Sequence, residues 1–151
     1  MQLSTALRTE PLRLASRHAV ASFIVVMMLA SCVPNQVEKG RSDAFKQYET
    51  IIRWSQWDAA VNFIAPQYLE EHPISRLDMD RLRLFKVTNY TLRSTNVAED
   101  GLSAAQVVEI RMFNTKQAIE RTVLDQQVWR YDPESKRWLL HSGLPDPTQR
   151  Y

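Results

Sequence analysis

Cysteine occurs once in this chain, at Cys32. That excludes an intrachain disulfide and any metal centre built on several thiolates. Glycine occurs three times, at Gly40, Gly101 and Gly143, and none of these sits in a glycine-rich phosphate-cradling loop. No apolar run is long enough to span a bilayer. The longest, residues 19–29, is broken only by Ser22, and a spanning helix needs about 20 apolar residues. Internal repeats and low-complexity segments are absent, and no dense basic run suggests a nucleic-acid surface.

The amino terminus is strongly patterned. Arg8, Arg13, Arg17 and His18 stand against the single acid Glu10, followed by the apolar stretch and then by Leu29-Ala30-Ser31-Cys32. A charged leader, a short apolar core and small residues at a cleavage point are the three parts of an export signal. The tetrapeptide ending in cysteine resembles a bacterial lipobox. The resemblance implies a signal peptide over 1–31, cleavage before Cys32, diacylglyceryl transfer to its thiol and acylation of the new amine. Several chains on one residue would make anchoring stable, which a single acyl chain does not. The plainer reading is an ordinary secretory signal with an incidental cysteine. Val33, rather than aspartate, follows the cysteine. By the same resemblance this favours the inner leaflet of a Gram-negative outer membrane, facing the periplasm.

Three of the 19 basic and one of the 17 acidic side chains lie in the leader, which leaves 16 of each in the remainder. The formal charge of +2 therefore belongs to the precursor. A neutral chain destined for export offers no case for nucleic-acid binding. What remains is enough for one small domain with one hydrophobic core.

Residues 32–42 read as a tether, with Pro34, Asn35 and Gly40 among charged residues. A domain over 43–143 and a tail over 144–151 follow. Phe45, Tyr48, Ile51 and Ile52 fall at helical spacing, with Ser42 as a candidate cap. Ser55-Gln56-Trp57-Asp58 looks like a capping box for a second helix over 56–65, which Pro66 ends. Residues 66–75 read as a connector. Ser75 is placed to cap a short helix that buries Leu77, Leu82 and Met79. From Phe85 the chain turns to β-branched and aromatic residues. Strands are expected over 85–93, 104–113, 118–131 and 137–141, with turns at Asp100-Gly101, 114–117 and 132–135. In the third, an inward set that shifts from Ile119 and Val123 to Leu124 and Val128 suggests a bulge. Helices first and strands afterwards give an α+β fold: amino-terminal helices packed on a curved antiparallel four-strand meander.

At Trp54-Ser55-Gln56-Trp57 and at the hairpin carrying Trp129 and Trp138 the chain resembles the NTF2-like superfamily, whose cystatin-related cone is closed by helices. That resemblance implies a conical sheet with a pocket at its wide end. It does not select a function, because such folds serve enzymes, ligand binders and interaction modules alike.

Asp58, Asp125 and His141 are the candidates for acid–base catalysis: the resemblance implies that an Asp/His pair in the cone can serve an enzyme, and a buried carboxylate with a raised pKa can act as a base. Their bland readings are a helix cap, a solvent-facing strand residue and a hydrogen-bonded core histidine. Glu70-Glu71-His72 and His141 do not converge like metal ligands, so neither a metal nor a cofactor is expected. Trp54, Trp57, Trp129 and Trp138 are candidates for stacking on a ligand, against the alternative that they fill the core. Arg76, Arg81, Arg83 and Lys86 alternate with Asp78 and Asp80 and read as a solvated face. The expectation is a membrane-anchored, non-catalytic module that binds an envelope protein or small molecule. The alternatives are a small hydrolase- or isomerase-like enzyme and a lipoprotein supporting assembly of an envelope complex. A filled interior favours the module. An open pocket joining Asp58 or Asp125 to His141 favours the enzyme, and an exposed apolar patch outside the cone favours assembly.

Overall fold

A computed structural model describes residues 33–148. The leader and Cys32 lie outside the described residues, as does the end of the expected tail.

Helix α1, Val33–Arg53, opens the described chain. The stretch expected as a tether is therefore helical from residue 33, and Ser42 lies inside the helix rather than at its cap. Pro34 is compatible with this because the first turn has no intrahelical partner for its missing N–H. Tertiary contacts hold the segment. The Trp138 indole donates to the Val37 carbonyl at 3.0 Å, and the Arg41 guanidinium lies 5.8 Å from the centre of the Trp138 ring. Further along, Ala44, Tyr48 and Ile52 repeat every four residues and are buried.

Helix α2, Trp57–Ala60, continues as a 3-10 turn over Val61–Phe63. Its start is not the expected capping box. Gln56 holds the cap position without a side-chain bond, and Ser55 Oγ instead accepts from the Val87 amide at 2.8 Å. Pro66 does not end that helix but opens α3, Pro66–Glu71, so part of the expected connector is helical. Helix α4, Arg76–Leu82, has the expected cap, with Ser75 and Asp78 forming a reciprocal box. Leu82 is buried, whereas Leu77 is 58% exposed, contrary to expectation. A seven-residue helix touching the core along one edge has room for few inward residues.

The sheet is a simple antiparallel meander, β1-β2-β3-β4: Phe85–Val97, Ser103–Asn114, Ile119–Asp132 and Arg137–Leu140. The chain is an α+β protein. The irregularities lie in β1, between Val87 and Asn89 and between Leu92 and Ser94, while β2 and β3 pair without a shift. The expected bulge in β3 is absent. Strict alternation of Val123, Asp125, Gln127 and Trp129 carries its inward face, and Ile119 and Val128 are exposed. Each β1 bulge resets the alternation. As a result Phe85, Val87, Tyr90, Leu92, Thr95 and Val97 all pair with buried residues of β2. The extra residues Thr88 and Arg93 are tied by side-chain bonds to Glu120 and Glu109. Residues 144–148 pack rather than trail: Pro145 and Pro147 are buried, and Arg121 donates to the Pro147 carbonyl at 3.0 Å.

Candidate functional site

The inner face of β3 carries a buried polar line. Across it on β2 stand Val108, opposite Asp125, and Gln106, opposite Gln127. The Gln127 amide nitrogen donates to Asp125 Oδ2 at 2.8 Å and to the Tyr90 hydroxyl at 3.2 Å. Its carbonyl oxygen accepts from the Trp129 indole at 3.1 Å. Trp129 is packed by Phe45, Tyr48 and Phe63 with ring centres 5.1, 5.2 and 6.4 Å away. Asp125 is therefore a core residue and not the solvent-facing one that its sequence context allows. Burial pushes its carboxyl up to about 6, against the opposing bond from Gln127. The Tyr48 hydroxyl lies in the same interior with no hydrogen-bond partner among the described residues. Burial first, and the nearby Asp125 charge second, hold its proton on.

The three acid–base candidates are dispersed. Asp58 is exposed on α2 and takes two bonds from Arg83, which hold its carboxyl below the usual range. His141 follows β4, where its backbone amide donates to the Val128 carbonyl at 2.7 Å. Burial first, then the charge of Arg130, lowers its imidazole pKa. None of the clefts described below joins any two of the three. Among the described residues no group of three or more His, Cys, Asp or Glu could hold a metal ion. His72 stacks on Tyr68 with ring centres 4.5 Å apart.

Three of the four tryptophans are core. Trp57, Trp129 and Trp138 are buried, and their indole nitrogens donate to the Phe85 carbonyl, Gln127 and the Val37 carbonyl respectively. Trp54 is 73% exposed, in the turn after α1.

An open groove of about 400 Å³ runs between α1 and the distal half of β1. Phe45 and Leu92 supply apolar surface, Tyr90 and Gln106 close it toward the interior, and Glu38, Arg41, Lys46 and Glu49 add charges of both signs. Leu92 is on the inward-pairing set yet 50% exposed, on the edge strand, whereas its β2 partner Val108 is fully buried. Gln106 is buried at its base and donates to Thr95 Oγ1 at 3.1 Å. Sequence reasoning did not single out these residues. The signal available was Leu92 standing alone in a polar run that begins at Thr91. A second cleft, of about 370 Å³, lies between Tyr68, Arg81 and the 142–148 segment. A third, also of about 370 Å³, adjoins Asp58, Arg83 and Lys86. No helix among the described residues is long and apolar enough to cross a membrane.

Comparison with protein-family models, with curated proteins and with solved structures gave no match.

Proposed function

We propose that this chain is a bacterial lipoprotein, acylated at Cys32 and held on the inner leaflet of an outer membrane, whose NTF2-like domain is a non-catalytic binding module. The observation that carries the binding reading is the groove beside β1. It leaves inward-pairing residues of the sheet uncovered beside a helix that also offers Phe45 and four charged side chains. Apolar surface of this kind, rimmed by polar groups, fits a protein or small-molecule ligand of the envelope. The rest of the interior supports a module over an enzyme. It is filled by Trp57, Trp129, Tyr48 and Phe63, and Asp125 is sealed within it. Helices preceding a four-strand sheet with a twice-bulged first strand are compatible with the NTF2-like reading.

The experiment is affinity purification of the lipidated full-length protein from detergent-solubilised envelopes, alongside Leu92→Glu. A stoichiometric companion recovered with the parent and lost with the variant is the expected result. Recovery of the same material with both proteins would remove the groove from the reading. Separately, Cys32→Ser is expected to leave the precursor unprocessed or free of membranes. A membrane-bound variant trimmed before residue 32 would require another anchor.

One observation favours the enzyme alternative: the raised Asp125 carboxyl beside the unpartnered Tyr48 hydroxyl. On that reading Tyr90 and Gln106 must move aside to admit a substrate from the groove. An Asp125→Asn variant that converts the bound small molecule as fast as the parent, or a parent that leaves it unchanged, would retire it.

A further inference from the structure

We infer that the end of the domain formed by the start of α1, the β1–β2 turn and the β3–β4 turn lies against phospholipid headgroups, with Leu102 as its apolar contact. The inference rests on acylation of Cys32, and it follows from the helical character of the segment expected as a tether.

The first link is the short length of chain between the anchor and the domain. Val37 is fixed to the domain, because its carbonyl accepts from the Trp138 indole at 3.0 Å. Gly40 faces the same ring, and Arg41 lies over it. Only four residues, spanned by five backbone steps, separate the acylated position from Val37. Even fully extended they reach about 18 Å. A ten-residue tether would let the domain turn freely above the bilayer, but this one does not.

The second link is what shares that end. Trp138 pairs with Tyr131 across β3 and β4, and the Tyr131 amide donates to the Leu102 carbonyl at 2.8 Å. The start of α1 and both turns are thus joined through direct contacts. The β1–β2 turn is built firmly. Gly101 adopts a φ of 69° that suits glycine, its amide donates to the Ala98 carbonyl, and the Leu102 amide donates to Asp100 Oδ1 at 2.9 Å. Leu102 is nevertheless 46% exposed. The β2–β3 turn stands at the other end of β2, a strand running Ser103–Asn114, about 36 Å away at 3.3 Å per residue. That distance is twice the reach of the segment between Cys32 and Val37, even fully extended.

The near end carries Glu99, Asp100 and Glu134 as well as Lys39 and Lys136, all exposed. Charges of both signs give no net attraction to anionic lipid, so the contact depends on the anchor and on Leu102 and is insensitive to salt.

Acylation consumes the only native thiol, so an introduced cysteine can be labelled alone. The test uses the full-length processed protein in vesicles of phosphatidylethanolamine and phosphatidylglycerol that contain a nitroxide-headgroup lipid. Leu102→Cys, Glu134→Cys and Lys116→Cys are each labelled with a maleimide fluorophore. Several-fold stronger quenching at positions 102 and 134 than at 116, unchanged by added salt, is expected. Equal quenching at all three, or stronger quenching at 116, overturns the inference and leaves the lipoprotein reading standing if intact mass shows Cys32 acylated. An unmodified Cys32 thiol in that mass measurement removes both.

Discussion

The two halves of β1 each carry one bulge and meet opposite fates. From Phe85 to Tyr90 the strand is closed off. The Trp57 indole donates to the Phe85 carbonyl, Ser55 accepts from the Val87 amide, and Arg53 Nη2 donates to the Tyr90 carbonyl at 2.7 Å. From Leu92 to Val97 no helix residue donates to or accepts from its backbone among the described residues, and inward-pairing side chains line a groove. A strand edge carries a row of unpaired backbone groups whatever its sequence. Here the end of α1, the turn after it and the start of α2 blunt one half and leave the other open. The lesson concerns placement. The groove is where the helical layer stops, not where a special motif begins.

Breaking the closed region carries the largest expected effect. Trp129→Ala removes a ring packed on three others and orphans the Gln127 carbonyl, and should cost about 3–5 kcal/mol in chemical denaturation. Unchanged unfolding would mean that the interior is not organised around this ring.

The buried acid comes next. Its folded pKa, about 6, lies above that of an unfolded aspartate. The native state therefore holds the proton more tightly. The associated stability is fully present below about pH 4 and is lost as pH rises through 6. Roughly two pKa units correspond to about 3 kcal/mol. Relative to the parent, Asp125→Asn should gain stability between pH 4 and pH 7. The Asp58, Asp78 and Asp132 carboxyls are lowered and act in the opposite direction, but they are common to both proteins. A constant difference across that range would count against a buried, raised carboxyl.

Smaller effects sharpen the contrast. Ser75→Ala deletes the α4 capping box and should cost about 1 kcal/mol. Leu92→Glu, in the open half of β1, should change unfolding by less than about 0.5 kcal/mol. A large loss there would show that the groove is a packed part of the core. A small one together with lost ligand capture marks it as a binding surface.

Much of the fold was legible. Ser75 with Asp78, the Asp100-Gly101 turn and the alternation through Val108, Ile110 and Met112 are local signals, and each is found in place. Local rules misled where distant groups decided. Residues 33–42 resemble a linker because Pro34 and Gly40 weaken a helix in isolation, and the Trp138 indole about a hundred residues away overrides that preference. Ser55 looks like a helix cap, yet it bonds to β1. Little of the candidate site was legible. The four tryptophans drew attention because of their size, and three of them are structural.

The sequence by itself determined the four strands and their order, the meander with its turns and a core built without disulfides. These depend on neighbours within a few residues or on composition. Only the tertiary structure decided that Asp125 is buried, that Asp58 and His141 lie apart from it, and that β1 is bulged twice rather than β3. It also decided that the sheet is left open beside Leu92. Each of these depends on which surfaces meet across the chain, and periodicity along one strand carries no information about whether a helix will cover it.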